Sequence, residues 1–261
     1  MLRILLTATI LLLPSFAIAI ELPEVVQACV NKNSQATSSL QTIELRTKDR
    51  SGFEKVLHAN TYLKRSPGKP ARVMLHFDEP ADMRGARFLV IENSPHNDMY
   101  IYMPGLGKVR KITSKRISSS ILGTDFSYED FERLHGVLTD LNSEQGADAK
   151  LGGRAVHVIN STPKAGSGYE KITTYIDIET CVALRTDLYE NNQKLRKVLT
   201  VDASDIHRHG KVYLPHKLLM RDLRDKTETR MIVEKIKVDV PIEESLFDPK
   251  QLKTAQLPAT P

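Results

Sequence analysis

The chain has no tryptophan, aromatic residues make up 6% of it, and only two of its 261 residues are cysteines. Cys29 and Cys181 are candidates for a single disulfide in an oxidising compartment, but sequence does not give their Cα separation and the pairing stays open at this point. After the first 19 residues, no stretch approaches the roughly 18 uninterrupted apolar residues that a transmembrane helix needs. There is no phosphate loop of the G-x-x-x-x-G-K-[ST] type, no dinucleotide fingerprint, no G-x-S-x-G elbow and no H-E-x-x-H helix. With those motifs missing, the chain carries no signature of nucleotide-driven work, and no cofactor or metal is expected. No internal repeat is found, and the formal net charge of +5 is modest.

What is present begins with a secretory signal. The opening MLRILLTATILLLPSFAIAIELPE has one basic residue, Arg3, an apolar run from Ile4 to Leu13, then Pro14 and the small-residue pattern Ala17-Ile18-Ala19. Residues 1–19 therefore read as a signal peptide and the rest as an exported, soluble protein. The residue after the cleavage site is Ile20 rather than cysteine, so a bacterial N-terminal lipid anchor is not indicated.

Alternation with a period of two dominates the mature chain, and that period puts apolar and polar side chains on opposite faces of a strand. Thr42–Arg46 and Arg72–Asp78 alternate cleanly, the second placing Val73, Leu75 and Phe77 on one side. Further strands are expected over 98–103, 154–159, 171–178, 182–189, 195–202, 214–221 and 230–240. Asn191-Asn192 suits a hairpin turn because asparagine tolerates positive φ, and Asp222–Lys226 separates another pair. Short polar connections without long helices argue for an antiparallel meander, mainly β. Short amphipathic helices are expected over 22–31, with Val25, Val26, Cys29 and Val30 at helical spacing, and over 127–134. A sheet of this size must curl to bury its apolar face, leaving either a filled core or a ligand cavity, and periodicity does not choose between them. The tail 254–261 is expected to be flexible, with too little apolar content to pack.

Few residues invite chemistry. His207-Arg208-His209 puts two imidazoles at i and i+2, but no neighbouring acidic or cysteine cluster completes a coordination shell, and a solvated polar loop is the expected reading. The densest basic run comprises Lys108, Arg110, Lys111, Lys115 and Arg116. It suits contact with anionic headgroups or an acidic partner, or else is a solvated face. Without interleaved aromatics, and in an exported chain, it does not point to nucleic acid.

One long segment carries a recognisable order: Pro80, Arg84-Gly85, the apolar Phe88-Leu89, the aromatic Tyr100 and Tyr102, Pro104, the basic Arg110, and then Gly123, Asp125, Phe126, Tyr128, Glu129 and Asp130. A weaker echo lies in Asp239-Val240-Pro241 before Leu246-Phe247-Asp248-Pro249. In this the sequence resembles the bacterial outer-membrane lipoprotein-sorting proteins, relatives of the periplasmic carrier LolA. Departures are the absent tryptophan of the aromatic strand, Thr124 for serine and Met103 for leucine.

The resemblance implies a strongly curved antiparallel half-barrel over residues 20–253, with a short-helix lid over an apolar cavity for acyl chains. It favours a pocket over a filled core. Cavity candidates on the concave face are Val73, Leu75, Phe77, Phe88, Val90 and Ile101. Lid candidates are Gly123, Asp125, Phe126, Tyr128, Phe131 and Leu134, with Asp125 or Ser127 capping the helix, Glu129 and Asp130 in its first turn, and few contacts holding it. The function implied is periplasmic, non-enzymatic carriage of the acyl chains of a lipid or lipoprotein toward the outer membrane. The partners would be an inner-membrane exporter and an outer-membrane acceptor, with only transient membrane contact. An envelope-stress or lipid-sensing regulator of the same fold, and a hydrolase, remain as alternatives.

Overall fold

The computed structural model describes residues 22–94, 96–113, 116–136, 141–163 and 165–259; the expected signal segment 1–19 and Lys115 of the basic run lie outside the described residues. In chain order the regular elements are α1 (Glu24–Lys32), β1 (Ser38–Lys48), β2 (Glu54–Ser66), β3 (Lys69–Glu79), β4 (Arg87–Ile91), β5 (Asp98–Met103) and β6 (Lys108–Lys111). They continue with α2 (Tyr128–Leu134), β7 (Leu141–Gln145), β8 (Ala149–Leu151), β9 (Arg154–Pro163), β10 (Lys171–Asp177), β11 (Ala183–Glu190) and β12 (Lys194–Val201). The last are β13 (Ile206–His209), β14 (Val212–Pro215), β15 (Lys217–Asp222) and β16 (Thr227–Val238).

All but β13 and β14 join one large, curved, open antiparallel sheet in the order β6-β5-β4-β3-β2-β1-β16-β15-β12-β11-β10-β9-β7, with β8 also on β9. Most neighbours in the sheet are neighbours in sequence; the exceptions are the seam, where the first strand pairs with the last, the β12–β15 pair that spans the β13–β14 hairpin, and the β7–β9 pair that spans β8. The turn at Asn191-Asn192 forms as its chemistry demands, with Asn192 at φ 62°, and Lys226 at φ 55° closes the β15–β16 hairpin. The expected strand over 214–221 is instead two, divided at His216. Pro215 has no N–H for a ladder, and the His216 amide donates to the carbonyl of Asp205 at 2.8 Å, outside the sheet.

Both faces of β3 are buried, and the elements that cover them explain why. Val73, Leu75 and Phe77 join the larger apolar cluster on the face carrying α2, while Met74 between them joins a second cluster on the opposite face. That outer cluster is supplied by the segment after β16, through Ile242, Leu246, Phe247, Leu252 and Ala255. Composition predicts a free tail from residue 254. It is instead held as far as Ala255, because Arg87 Nη1 donates to the carbonyls of Leu252 and Ala255 at 2.8 and 2.9 Å. Backbone capture of this kind does not register in an apolar count.

α1 buries Val26 and Cys29 against Ile159 and Ile176, while Val25 and Val30 face outward, 66% and 38% exposed. Cys29 and Cys181 form a disulfide with a Cα separation of 5.2 Å, tying α1 to the turn before β11. Closing a loop of this length contributes on the order of 4–5 kcal/mol in the chain-entropy account.

Candidate functional site

The site is the apolar inner face under α2. Alternation from β3 and β4 sends Val73, Leu75, Phe77, Phe88 and Val90 into one cluster, each 2% exposed or less, and partly buried Ile101 packs against it. Register brings them together: Val73 is opposite Val90, Leu75 opposite Phe88, and Phe88 opposite Ile101. On the lid, Phe126, Tyr128 and Phe131 are buried and Leu134 partly so, all on this same cluster. The Phe88 ring lies 4.8 Å from Tyr128 and 5.3 Å, edge-on, from Phe131, arrangements that aromatic quadrupoles favour.

The helix start is built locally. Ser127 is the N-cap: its hydroxyl accepts from the Asp130 amide at 3.2 Å, and the Asp130 carboxylate accepts from the Ser127 amide at 2.9 Å. This reciprocal capping box satisfies two otherwise free donors. Asp125 does not cap. Its carboxylate accepts from the Thr227 and Thr229 hydroxyls on β16 and fixes the loop to the sheet. Gly123, at φ 85°, makes the turn that lets Ile121 and Phe126 both reach the core.

Sequence reasoning missed how firmly α2 is fastened. Glu129, Asp130 and Glu132 are buried, at 2%, 3% and 1% exposure. Glu129 accepts from the Ser167 hydroxyl at 2.7 Å and the Gly168 amide at 2.9 Å. Asp130 accepts from the Tyr169 hydroxyl at 2.9 Å and from Lys197 Nζ at 3.0 Å, and the same ammonium donates to the Asp125 carbonyl at 2.7 Å. Glu132 accepts from Asn97 at 2.8 Å through one oxygen, while the other is buried without a partner. At the C-terminal end, Arg65 donates to the carbonyl of His135. The loop between β9 and β10 approaches so closely that a Cβ on Gly168 would lie 2.6 Å from Ser118 Cβ and 2.7 Å from Glu129 Oε1. The carboxylates in YEDFERL gave a signal in sequence, but their partners lie far away in the chain.

Burial sets the electrostatics. Desolvation raises Glu132 to about 7, with neighbouring Glu129 adding to the effect and Asn97 opposing it. Burial raises Glu129 and Asp125 as well, against the hydrogen bonds they accept. His135, whose ring lies 4.2 Å from that of Phe131, is pushed down to about 4 by desolvation and stays neutral.

The other sequence candidates fall elsewhere. Lys108, Arg110 and Lys111 are exposed on β6, the edge strand of the sheet, and Arg116 is exposed in the loop beyond. Cations on an edge strand discourage sheet-to-sheet aggregation, so this placement has a structural use of its own. His207 and His209 do not lie in a polar loop but on β13, where they meet His216. The His209 and His216 Nε2 atoms are 2.9 Å apart, with rings within 8° of parallel and centroids 5.1 Å apart. That centroid distance is the nitrogen separation plus one ring radius at each end, so the rings meet head-on and share a proton. Head-on lone pairs leave no room for a chelated ion. Burial lowers both imidazoles, and charged His207 would lower them further.

The fold is shared with solved structures. A domain named as an outer membrane lipoprotein-sorting protein, from Vibrio parahaemolyticus, superposes with a TM-score of 0.80 at 23% identity, covering 88% of this chain and 97% of that one. A DUF1329 family protein from Desulfovibrio piger gives 0.80 at 21% identity, covering 87% and 97%. A LolA superfamily protein from Nitrosomonas europaea gives 0.68 at 14% identity, covering 86% and 96%. No curated protein matches the chain. The family resemblance read from the sequence and the half-barrel it implied are thus met in the fold. A family model described as "Uncharacterized protein" matches residues 70–254, and the chain, a LolA-like half-barrel, belongs to that family.

Proposed function

We propose that this protein is a periplasmic carrier that shields the acyl chains of a lipid or lipoprotein on the inner face of its half-barrel and passes them toward the outer membrane. The observation that carries the reading is the apolar inner face under a short helix, with Phe88 against Tyr128 and Phe131. An acyl chain entering there replaces contacts made by α2, and each buried methylene is worth roughly 0.8 kcal/mol, so a chain of about ten carbons supplies roughly 8 kcal/mol toward the exchange. The solved relatives named as lipoprotein-sorting and LolA-superfamily proteins support the same reading. The buried carboxylates of α2 already have structural partners, which fits carriage without an enzymatic step. The exposed cations of β6 offer a transient contact with anionic headgroups or with an exporter or acceptor.

The test is titration of the secreted protein with a fluorescent fatty acid. Saturable binding is expected, with loss of binding in Leu75→Glu and weakened binding in Phe88→Ala, which keeps the face apolar. Absence of saturable binding across several chain lengths would refute the proposal.

A further inference from the structure

On the face of the sheet away from α2, side chains from three adjacent strands converge. Ile43 and Leu45 belong to the inner cluster, so Glu44 between them points outward, and His58 on β2 stands directly opposite it in register. Glu234 arrives from β16 on the other side of β1, at a bulge where Thr42 pairs with Lys235 and Ile43 with Val233, leaving Glu234 as the extra residue. Bulges re-aim side chains and are frequent beside functional sites. One donor atom from each of Glu44, His58 and Glu234 lies within 4.8 Å of the other two.

Two carboxylates and an imidazole form a donor set that suits Zn2+, which takes three protein ligands and leaves a fourth position to water. Bonds of about 2.0–2.2 Å require the three atoms to draw somewhat closer together. All three side chains are rotatable, and Glu234 is exposed. Glu79 Oε2 lies 4.0 Å from His58 Nε2, beyond hydrogen-bond reach of the ring. A competitor is present. Arg46 forks onto Glu44, with Nη2 to Oε2 at 3.0 Å, and holds that carboxyl below its ordinary range. Arg46 is half exposed, and an exposed ion pair of this kind holds its carboxylate more weakly than a coordinated divalent ion does.

We propose that Glu44, His58 and Glu234 form a divalent-cation site of the zinc class on the outer face of the sheet, with Arg46 competing for Glu44. The site lies on the opposite face from the acyl-chain face, so its test stands apart from that of carriage. Chelator-stripped full-length protein is titrated with ZnCl2 by calorimetry and in thermal melts, with MgCl2 as the comparison. Saturable binding of one Zn2+ and a raised Tm are expected with zinc and not with magnesium. His58→Ala and Glu234→Gln should each weaken zinc binding at least tenfold, Arg46→Gln should tighten it, and His209→Ala should leave it unchanged. Glu234→Gln decides the matter if His58→Ala fails to fold, since Glu234 is exposed. No saturable zinc binding, binding insensitive to Glu234→Gln, or binding lost in His209→Ala would overturn the proposal.

Discussion

The two halves of the sheet are made of the same kind of strand but are buried differently. In the half from β1 to β6, α2 covers one face and the segment after β16 covers the other, so the middle of β3, from Val73 to Phe77, is buried without interruption. In the other half, β15 alternates between buried residues and more exposed ones, with Leu218, Met220 and Asp222 turned in. The period of two shows in the burial of β15, which has one wetter face, and not in that of β3, where both faces are covered. The lid joins these halves. Its first turn is held by Ser167, Gly168, Tyr169 and Lys197 from the β7–β16 half, and its end by Asn97 and Arg65 from the β1–β6 half. α2 is therefore a latch across the sheet rather than a loose flap.

The largest effect that would break this comparison is at the latch. Lys197→Met leaves Asp130 as an uncompensated buried charge, and a loss of roughly 3–5 kcal/mol is expected in denaturant unfolding. A loss below about 1 kcal/mol would show that the ion pair does not hold the helix. Next comes the doubly covered half: Met74→Ala should cost about 2–5 kcal/mol through the cavity it leaves on the outer face. Arg221→Ala, an exposed change on β15, should stay within about 0.5 kcal/mol. Equal costs would erase the difference between the halves.

A smaller effect is expected at Gly168. Gly168→Ala drives a methyl into Ser118 and Glu129, at a cost of about 1–3 kcal/mol typical of overpacking. Hydrogen exchange of the α2 amides should quicken while that of β3 does not.

The smallest effect sharpens the electrostatics. Glu132 sits at about 7 when folded, above its ordinary 4.5, so the folded state holds a proton that the unfolded chain has lost between those values. Its stabilising contribution is complete below about 4.5 and disappears as pH rises through about 7. His135 acts in the opposite sense, losing stability as pH falls from its ordinary 6.5 toward 4. Glu132→Gln should remove the decline between pH 4.5 and 7 and stabilise the protein at pH 8 by ~1 kcal/mol or more. Unchanged pH dependence in that variant would place the shifted proton on another group.

Local sequence was enough for much of the architecture: period-two alternation, the Asn191-Asn192 turn and short connections made the chain an antiparallel β protein. Parity put Val73, Leu75, Phe77, Phe88 and Val90 on one face, because alternation is a local property of the strand. Sequence offers Asp125 and Ser127 alike as N-caps, and the structure picks Ser127, paired with Asp130 in a capping box. The partners those faces meet were set by tertiary contacts. The tail behind Arg87, the seam of β1 with β16, the pairing of Glu129 with Gly168 and Asp130 with Lys197, and the convergence of Glu44, His58 and Glu234 all join residues distant in the chain. No local period or spacing encodes such contacts; they exist only once the sheet has curled and brought its two halves under one helix.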